Sequence, residues 1–223
     1  MEIVRLENVH KEYRASKSVR VEALRAVDLV IEEGTIVTVY GVSGSGKSTM
    51  LNLIGCLDKP TAGTVLIKGR DISSMSDKAL SEFRNENIGF VFQDFNLIPY
   101  RTAYDNCMVP LYFSHGNVKE RKNNIPAVLE RLNIGDLSKR KVSEMSGGQK
   151  QRVAIARAMV NESPIIIADE PTGQLDTHNR DEVAEIFDML RNDGKTIIIA
   201  THDESLTEIS DNVIHLVDGK VSG

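Results

Sequence analysis

Residues 41–48 read Gly-Val-Ser-Gly-Ser-Gly-Lys-Ser, the pattern G-x-x-x-x-G-K-[ST], and no other stretch restricts the fold so strongly. The pattern works only as a turn between a buried strand and the first turn of a helix. Thr35–Tyr40 before it is short, apolar and β-rich, and Ser48–Leu57 after it has a helical pattern. Glycines at Gly41, Gly44 and Gly46 admit backbone conformations that turn successive N–H groups toward one point, and the helix start adds positive potential. Lys47 supplies a full charge for the β and γ phosphates of a nucleotide, with Ser43, Ser45 and Thr49 completing the cradle. Ser48 offers a hydroxyl to Mg²⁺. The bland alternative is a glycine-rich turn that merely joins strand to helix.

Ile88–Phe92, Ile165–Ala168 and Thr196–Ala200 repeat the short, doubly apolar character of Thr35–Tyr40, as strands sandwiched between helices do. Helical patterns lie between them at Val118–Leu132, Gly148–Val160 and Asn179–Arg191, with Gly194 as a stop. Alternation of strand and helix predicts an α/β fold with a mostly parallel sheet. Near the N-terminus Val4 and Leu6, then Val27, Leu29 and Ile31, alternate with polar residues, which predicts an antiparallel β entry. Their link, Arg14 to Arg20, is flanked by Glu12 and Glu22 and reads as a solvated loop. Residues 94–160 hold helical segments without a convincing strand, which predicts a helical subdomain inserted into one domain spanning 1–223.

Two further motifs carry chemistry. Ile165-Ile166-Ile167-Ala168-Asp169-Glu170 is an apolar strand ending in two carboxylates, at the edge where a parallel sheet places its functional groups. Asp169 is read as the Mg²⁺ residue and Glu170 as the base that deprotonates water, although paired acids after a strand also serve as plain helix caps. Ser146-Gly147-Gly148-Gln149 opens an amphipathic helix with Val153, Ala156 and Val160 apolar and Lys150, Arg152 and Arg157 polar. It reads as a second anion nest, or as an ordinary N-cap. One phosphate loop needs no second phosphate site of its own, so this nest is assigned to nucleotide held by another copy of the chain.

Charge and cysteine content exclude other classes. Twenty-seven Lys and Arg against 32 Asp and Glu leave a formal charge of −5, the wrong sign for tracking nucleic-acid backbone. Cys56 and Cys107 have neither CxxC spacing nor nearby His ligands, so they form no zinc site or disulfide framework, and a reduced cytoplasmic setting is expected. No apolar run reaches the roughly 18 residues of a membrane span.

On these residues the chain resembles the ATP-binding cassette (ABC) ATPases over essentially its whole length. Met145-Ser146-Gly147-Gly148-Gln149 is similar to the family signature, with Met145 in place of the usual Leu. Lys47, Gln93, Ser146, Glu170 and His202 follow in the family's order and spacing. The resemblance implies a P-loop core with an antiparallel β subdomain and a helical subdomain, binding ATP and Mg²⁺. It further implies that Tyr13 stacks on adenine, with an edge tyrosine as the alternative, and that Gln93 reaches Mg²⁺ and the attacking water. The resemblance likewise implies that Asp176 stands in a loop that crosses a dimer interface and that His202 contacts the γ-phosphate. Gln174 stands where Asn or Ala is more usual, and its role is left open. His10, His115, His178 and His215 match no motif.

Phe92–Pro99 and Pro171–Asp176 resemble the subfamily of lipoprotein-release, macrolide-export, antimicrobial-peptide-resistance and cell-division ATPases. The implied function is ATP hydrolysis by two copies that sandwich two ATP molecules at the cytoplasmic face of a membrane and drive a separate permease, with no nucleic-acid partner. A soluble cassette ATPase of DNA repair or chromosome maintenance is the alternative. It requires a coiled-coil or zinc insertion, and only 53 positions separate Gln93 from Ser146. A regulatory module that binds ATP without cleaving it would have little use for Glu170 and His202.

Overall fold

The computed structural model describes residues 1–14, 20–114 and 117–222; the interior of the Arg14–Arg20 link and His115 lie outside the described residues. In chain order the elements are β1 (Glu2–Arg14), β2 (Arg20–Glu32), β3 (Ile36–Tyr40), α1 (Lys47–Ile54), β4 (Ala62–Ile67), β5 (Arg70–Asp71), α2 (Asp77–Asn87) and β6 (Ile88–Val91). The next are α3 (Ala103–Met108), α4 (Val118–Arg131) and α5 (Gly147–Met159), with short 3-10 turns among them. The last are β7 (Ile165–Asp169), α6 (Thr177–Asn192), β8 (Thr196–Thr201), α7 (Ser205–Glu208), β9 (Asn212–Val217) and β10 (Lys220–Ser222).

β1 and β2 pair antiparallel and extend through β4 to β5 in a four-stranded sheet, order β2-β1-β4-β5. The second sheet has six strands in the order β10-β9-β3-β8-β7-β6, parallel except for the β9–β10 hairpin. The α/β reading with an antiparallel entry therefore holds. β4, β5, α2 and the β9–β10 hairpin are additions to it.

Side-chain alternation along the parallel strands builds two cores, one on each face. Ile165, Ile167, Ile198 and Ala200 face α1 and the antiparallel sheet, whereas Ile166, Ala168, Ile197 and Ile199 face α3–α6. Each isoleucine is essentially without solvent contact, and burying one contributes roughly 1.5–3 kcal/mol. Burial on both faces explains why these strands are continuous apolar runs. Residues 94–160 hold α3, α4 and α5 and no named strand; within them Thr102 and Lys141 form one isolated bridge.

Boundaries shift where caps decide them. The helix expected at Ser48–Leu57 runs from Lys47 to Ile54, because the Gly55 N–H closes on the Leu51 carbonyl and Cys56 turns left-handed at φ 54°. The helix expected at Asn179 begins at Thr177, since the Asp176 carboxylate caps it by accepting from the Asn179 N–H at 3.0 Å. Gly194, at φ 81°, does follow its end. Cys56 and Cys107 are free and buried, and burial pushes both thiols up to about 12.

Candidate nucleotide site

Four neighbouring parallel strands end at the same sheet edge, and each delivers one expected group. β3 leads into the 41–46 loop and Lys47, β8 into His202, β7 into Glu170 and β6 into Gln93. Together these line a cleft of about 900 Å³ with Ser43, Gly44, Gly46, Ser48 and Thr49. Its other rim, Val21–Ala23 with Arg25 on β2 and Asp218–Gly219 in the β9–β10 turn, carries no recognisable motif. Asp218-Gly219 was nonetheless a legible hairpin signal, an Asp-Gly pair between alternating apolar residues.

The glycines act for different reasons. Gly46 takes φ 108°, and a Cβ there would stand 2.5 Å from the Ala23 carbonyl oxygen. Gly41 has no left-handed φ, contrary to the expectation. It is needed because a Cβ would come within 2.4 Å of the Leu216 carbonyl oxygen. Ser45 is buried with its hydroxyl unpartnered among the described residues, and its backbone carbonyl accepts from the Gly219 N–H.

Lys47 Nζ donates to the carbonyls of Gly41 (2.7 Å) and Val42 (3.2 Å) and stands 3.7 Å from Glu170 Oε1. Glu170 has a left-handed backbone, φ 46°, fixed by its N–H to the Ala200 carbonyl. Its carboxylate accepts from Thr201 Oγ1 at 3.0 Å and lies 2.9 Å from His202 Nδ1. Glu170 and His202, 32 residues apart in sequence, thus meet directly. Asp169 points elsewhere, toward the Ser48 hydroxyl, and burial holds its carboxyl above the usual range, with Glu170 adding to the effect. One of its oxygens, Oδ1, is buried without a hydrogen-bond partner among the described residues.

Those two donors fit a Mg²⁺ ion that takes most of its ligands from phosphate and water. Accordingly, no cluster of three or more His, Cys, Asp or Glu side chains arranged for a metal occurs among the described residues.

The remaining expected residues stand outside this cleft. Tyr13 donates to Asp58 at 3.0 Å, interacts with Thr49, and has the Lys11 ammonium 4.9 Å from its ring centre. Ser146 caps α5 by accepting from the Gln149 N–H, while Gln149 Oε1 accepts from the Ser146 N–H. Gly147 and Gly148 follow in the first turn; a Cβ on Gly148 would stand 1.9 Å from Asn179 Oδ1. The two N-termini, of α5 with Ser146 and of α6 with Asp176, therefore lie side by side, and neither lines the cleft with Lys47. Arg157 was read as part of a polar face, yet its guanidinium turns inward to the carbonyls of Phe95 and Asn96. Of the unassigned histidines, His10 lies beside Glu22, His178 beside Glu182, and His215 packs edge-on to Tyr40.

The family pattern described as "ABC transporter" matches residues 24–173. The lipoprotein-releasing system ATP-binding protein LolD of Bacteroides thetaiotaomicron is 43% identical over 220 residues, covering 98% of this chain and 99% of that protein. The macrolide export ATP-binding/permease protein MacB of Rhodopseudomonas palustris is 44% identical over 216 residues, 97% of this chain but 33% of that longer protein. A dimeric structure of the ATP-binding cassette MJ0796 of Methanocaldococcus jannaschii, in a post-hydrolysis state bound to ADP and Pi, superposes with a TM-score of 0.86. That match has 42% identity and covers 99% of this chain and 97% of that one. With the phosphate loop, the two carboxylates and the Ser-Gly-Gly helix start all in their places, the chain belongs to the ABC transporter family.

Proposed function

We propose that the chain is the ATP-hydrolysing subunit of an ABC transporter, two copies enclosing two ATP molecules and powering a separate membrane permease. The observation that carries this reading is the convergence of Lys47, Glu170, His202 and Gln93 on one cleft at one sheet edge. The loop N–H groups and Lys47 bind the β and γ phosphates. Ser48, Asp169 and Gln93 are the residues that would hold Mg²⁺, which when bound neutralises charge on the phosphate oxygens. Glu170, oriented by Thr201 and His202, accepts a proton from the attacking water as its oxygen bonds to the γ-phosphorus and the bond to the ADP oxygen breaks. His202 then stands beside the phosphoryl group. Tyr13 is proposed to meet the adenine, a contact worth about 1–3 kcal/mol if it resembles base stacking on aromatics.

Ser146, Gly147, Gly148, Gln149 and Asp176 do not line the Lys47 cleft and are proposed to serve a neighbour's nucleotide. The dimeric relative with ADP and Pi supports that assignment. MacB joins an ATP-binding part and a permease under one name, which supports a permease partner for this chain and so a position at a membrane. No helix among the described residues is long and apolar enough to cross a membrane. A groove lined by Phe90, Phe92, Tyr112 and Phe113, the last two 73% and 68% exposed, opens beside the Gln93 loop and suits an apolar permease segment. No observation favours the DNA-repair alternative. Substituting Glu170→Gln keeps the side chain's shape and removes the base. ATP binding should persist while single-turnover hydrolysis falls about 10²- to 10⁴-fold; unchanged hydrolysis would reassign the base.

A further inference from the structure

The loop that follows Glu170 is held at three points by side chains from outside it. Thr172 Oγ1 donates to Asp203 Oδ2 at 3.1 Å, next to His202, and Arg180 binds both Asp203 (3.3 Å) and the Leu175 carbonyl (3.0 Å). Leu175 is buried among the apolar side chains of the α3–α6 face. On the opposite side Gln174 Nε2 donates to Asp94 Oδ1 at 2.6 Å, across 80 residues of sequence. Asp94 adjoins Gln93, and a Cβ placed on Gly173 would stand 3.6 Å from the Gln93 side-chain nitrogen. The 170–176 loop therefore bridges the His202 loop and the Gln93 loop.

Asp94 is itself a fixed partner. After it the chain passes through two consecutive left-handed residues, Phe95 (φ 58°) and Asn96 (φ 47°), a conformation that non-glycine residues adopt only when held. What holds them is the Arg157 guanidinium, which donates to the carbonyls of Phe95 (2.9 Å) and Asn96 (2.5 Å) from the α5 helix that begins at Ser146. A continuous chain of contacts thus runs from α5 through Arg157, the twisted 95–96 backbone, Asp94 and Gln174 to the loop that begins at Glu170.

We propose that Gln174 is a positioning residue, which with Asp94 latches the Glu170 loop to the Gln93 loop so that the two shift as one body during turnover. The inference rests on the reading of Glu170 and Gln93 given above. It also supplies a role for Gln174, which the motif comparison left open. A hydrogen bond from an amide to a carboxylate at an exposed site is modest in strength, so its loss should slow the reaction without abolishing it.

The test is a double-mutant cycle on the full chain with Mg-ATP, reading kcat, KM and the thermal midpoint together. Gln174→Ala and Asp94→Ala should each lower kcat about two- to tenfold with KM for ATP little changed. The double variant should be no slower than the slower single. The exchanged pair Asp94→Gln with Gln174→Asp keeps the combined length of the two side chains and should restore kcat to within about twofold, a rescue that a general loss of packing would not give. Gln174→Glu, which sets two carboxylates against each other, should be slower than Gln174→Ala, and adding Asp94→Asn should cancel the difference. Multiplicative losses in the double variant, or singles that turn over like the parent, overturn the latch. Both results stand apart from the assignment of the base, because the cycle compares rates whichever residue takes the proton, whereas Glu170→Gln tests that assignment alone.

Discussion

Lys47 spends its hydrogen bonds on two neutral carbonyls of its own loop while standing 3.7 Å from the partly buried Glu170, with Asp169 also acting on its charge. Phosphate oxygens compete directly for that ammonium. Lys47→Ala should therefore lose ATP binding first and turnover with it, measurable as a nucleotide affinity at least about tenfold weaker, since charge-assisted contacts exceed neutral ones. Normal affinity in that variant would remove the phosphate-loop assignment. Asp169 faces Ser48 rather than His202: burial raises its carboxyl pKa, and its side-chain partner is the Ser48 hydroxyl. Asp169→Asn should accordingly raise the Mg²⁺ concentration needed for half-maximal turnover more than it weakens nucleotide binding, as read by titrating Mg²⁺ at fixed ATP.

Among the elements, β1 is pinned to the turn after α1 by one acid. Asp58 receives the Lys11 ammonium at 2.6 Å and the Tyr13 hydroxyl at 3.0 Å. Burial pushes its carboxyl up, but Lys11, the Lys59 N–H and Tyr13 together hold it below the ordinary value of 3.8. A lowered folded-state pKa means the stabilisation is complete above that value and is lost as pH falls through the folded pKa. Asp58→Asn should therefore lower the urea midpoint at about pH 7, and the gap from the parent should close as pH falls from 3.8 through the lowered folded-state pKa. A gap independent of pH would mean that the charge on Asp58 contributes nothing. The same scale shows what could be read in advance. Thr35–Tyr40, Ile165–Ala168 and Thr196–Ala200 were legible because burial on both faces leaves them no charged residues to blur the pattern. α2 was not, since only Leu80 and Phe83 are buried among its 11 residues. The β9–β10 hairpin was legible through Asp218-Gly219 and passed over. In the site, residue types and order were readable, but the contact of Glu170 with His202 and the latch at Gln174 depend on strand order, which no local pattern encodes.

At the scale of the molecule, the paired starts of α5 and α6 are not part of the cleft that holds Lys47, and the proposed site needs both. Each copy carries a formal charge of −5, so association has to be driven by shared ligand rather than by net charge. Glu170→Gln with Mg-ATP should sediment as a dimer, and the same variant carrying Ser146→Arg should remain a monomer. Because Ser146 is also the cap of α5, worth about 1 kcal/mol, the thermal midpoint of Ser146→Arg must be checked alongside.

The most direct measurement mixes two inactive chains. A Ser146→Arg copy keeps Lys47, a Lys47→Ala copy keeps Ser146, and one of each can assemble a single complete site between them. ATP hydrolysis that is absent from either variant alone and appears when they are combined is the predicted result. A Ser146→Arg chain that cleaves ATP as fast as the parent, or a mixture that stays inactive while both chains remain folded, would contradict a site built from two copies.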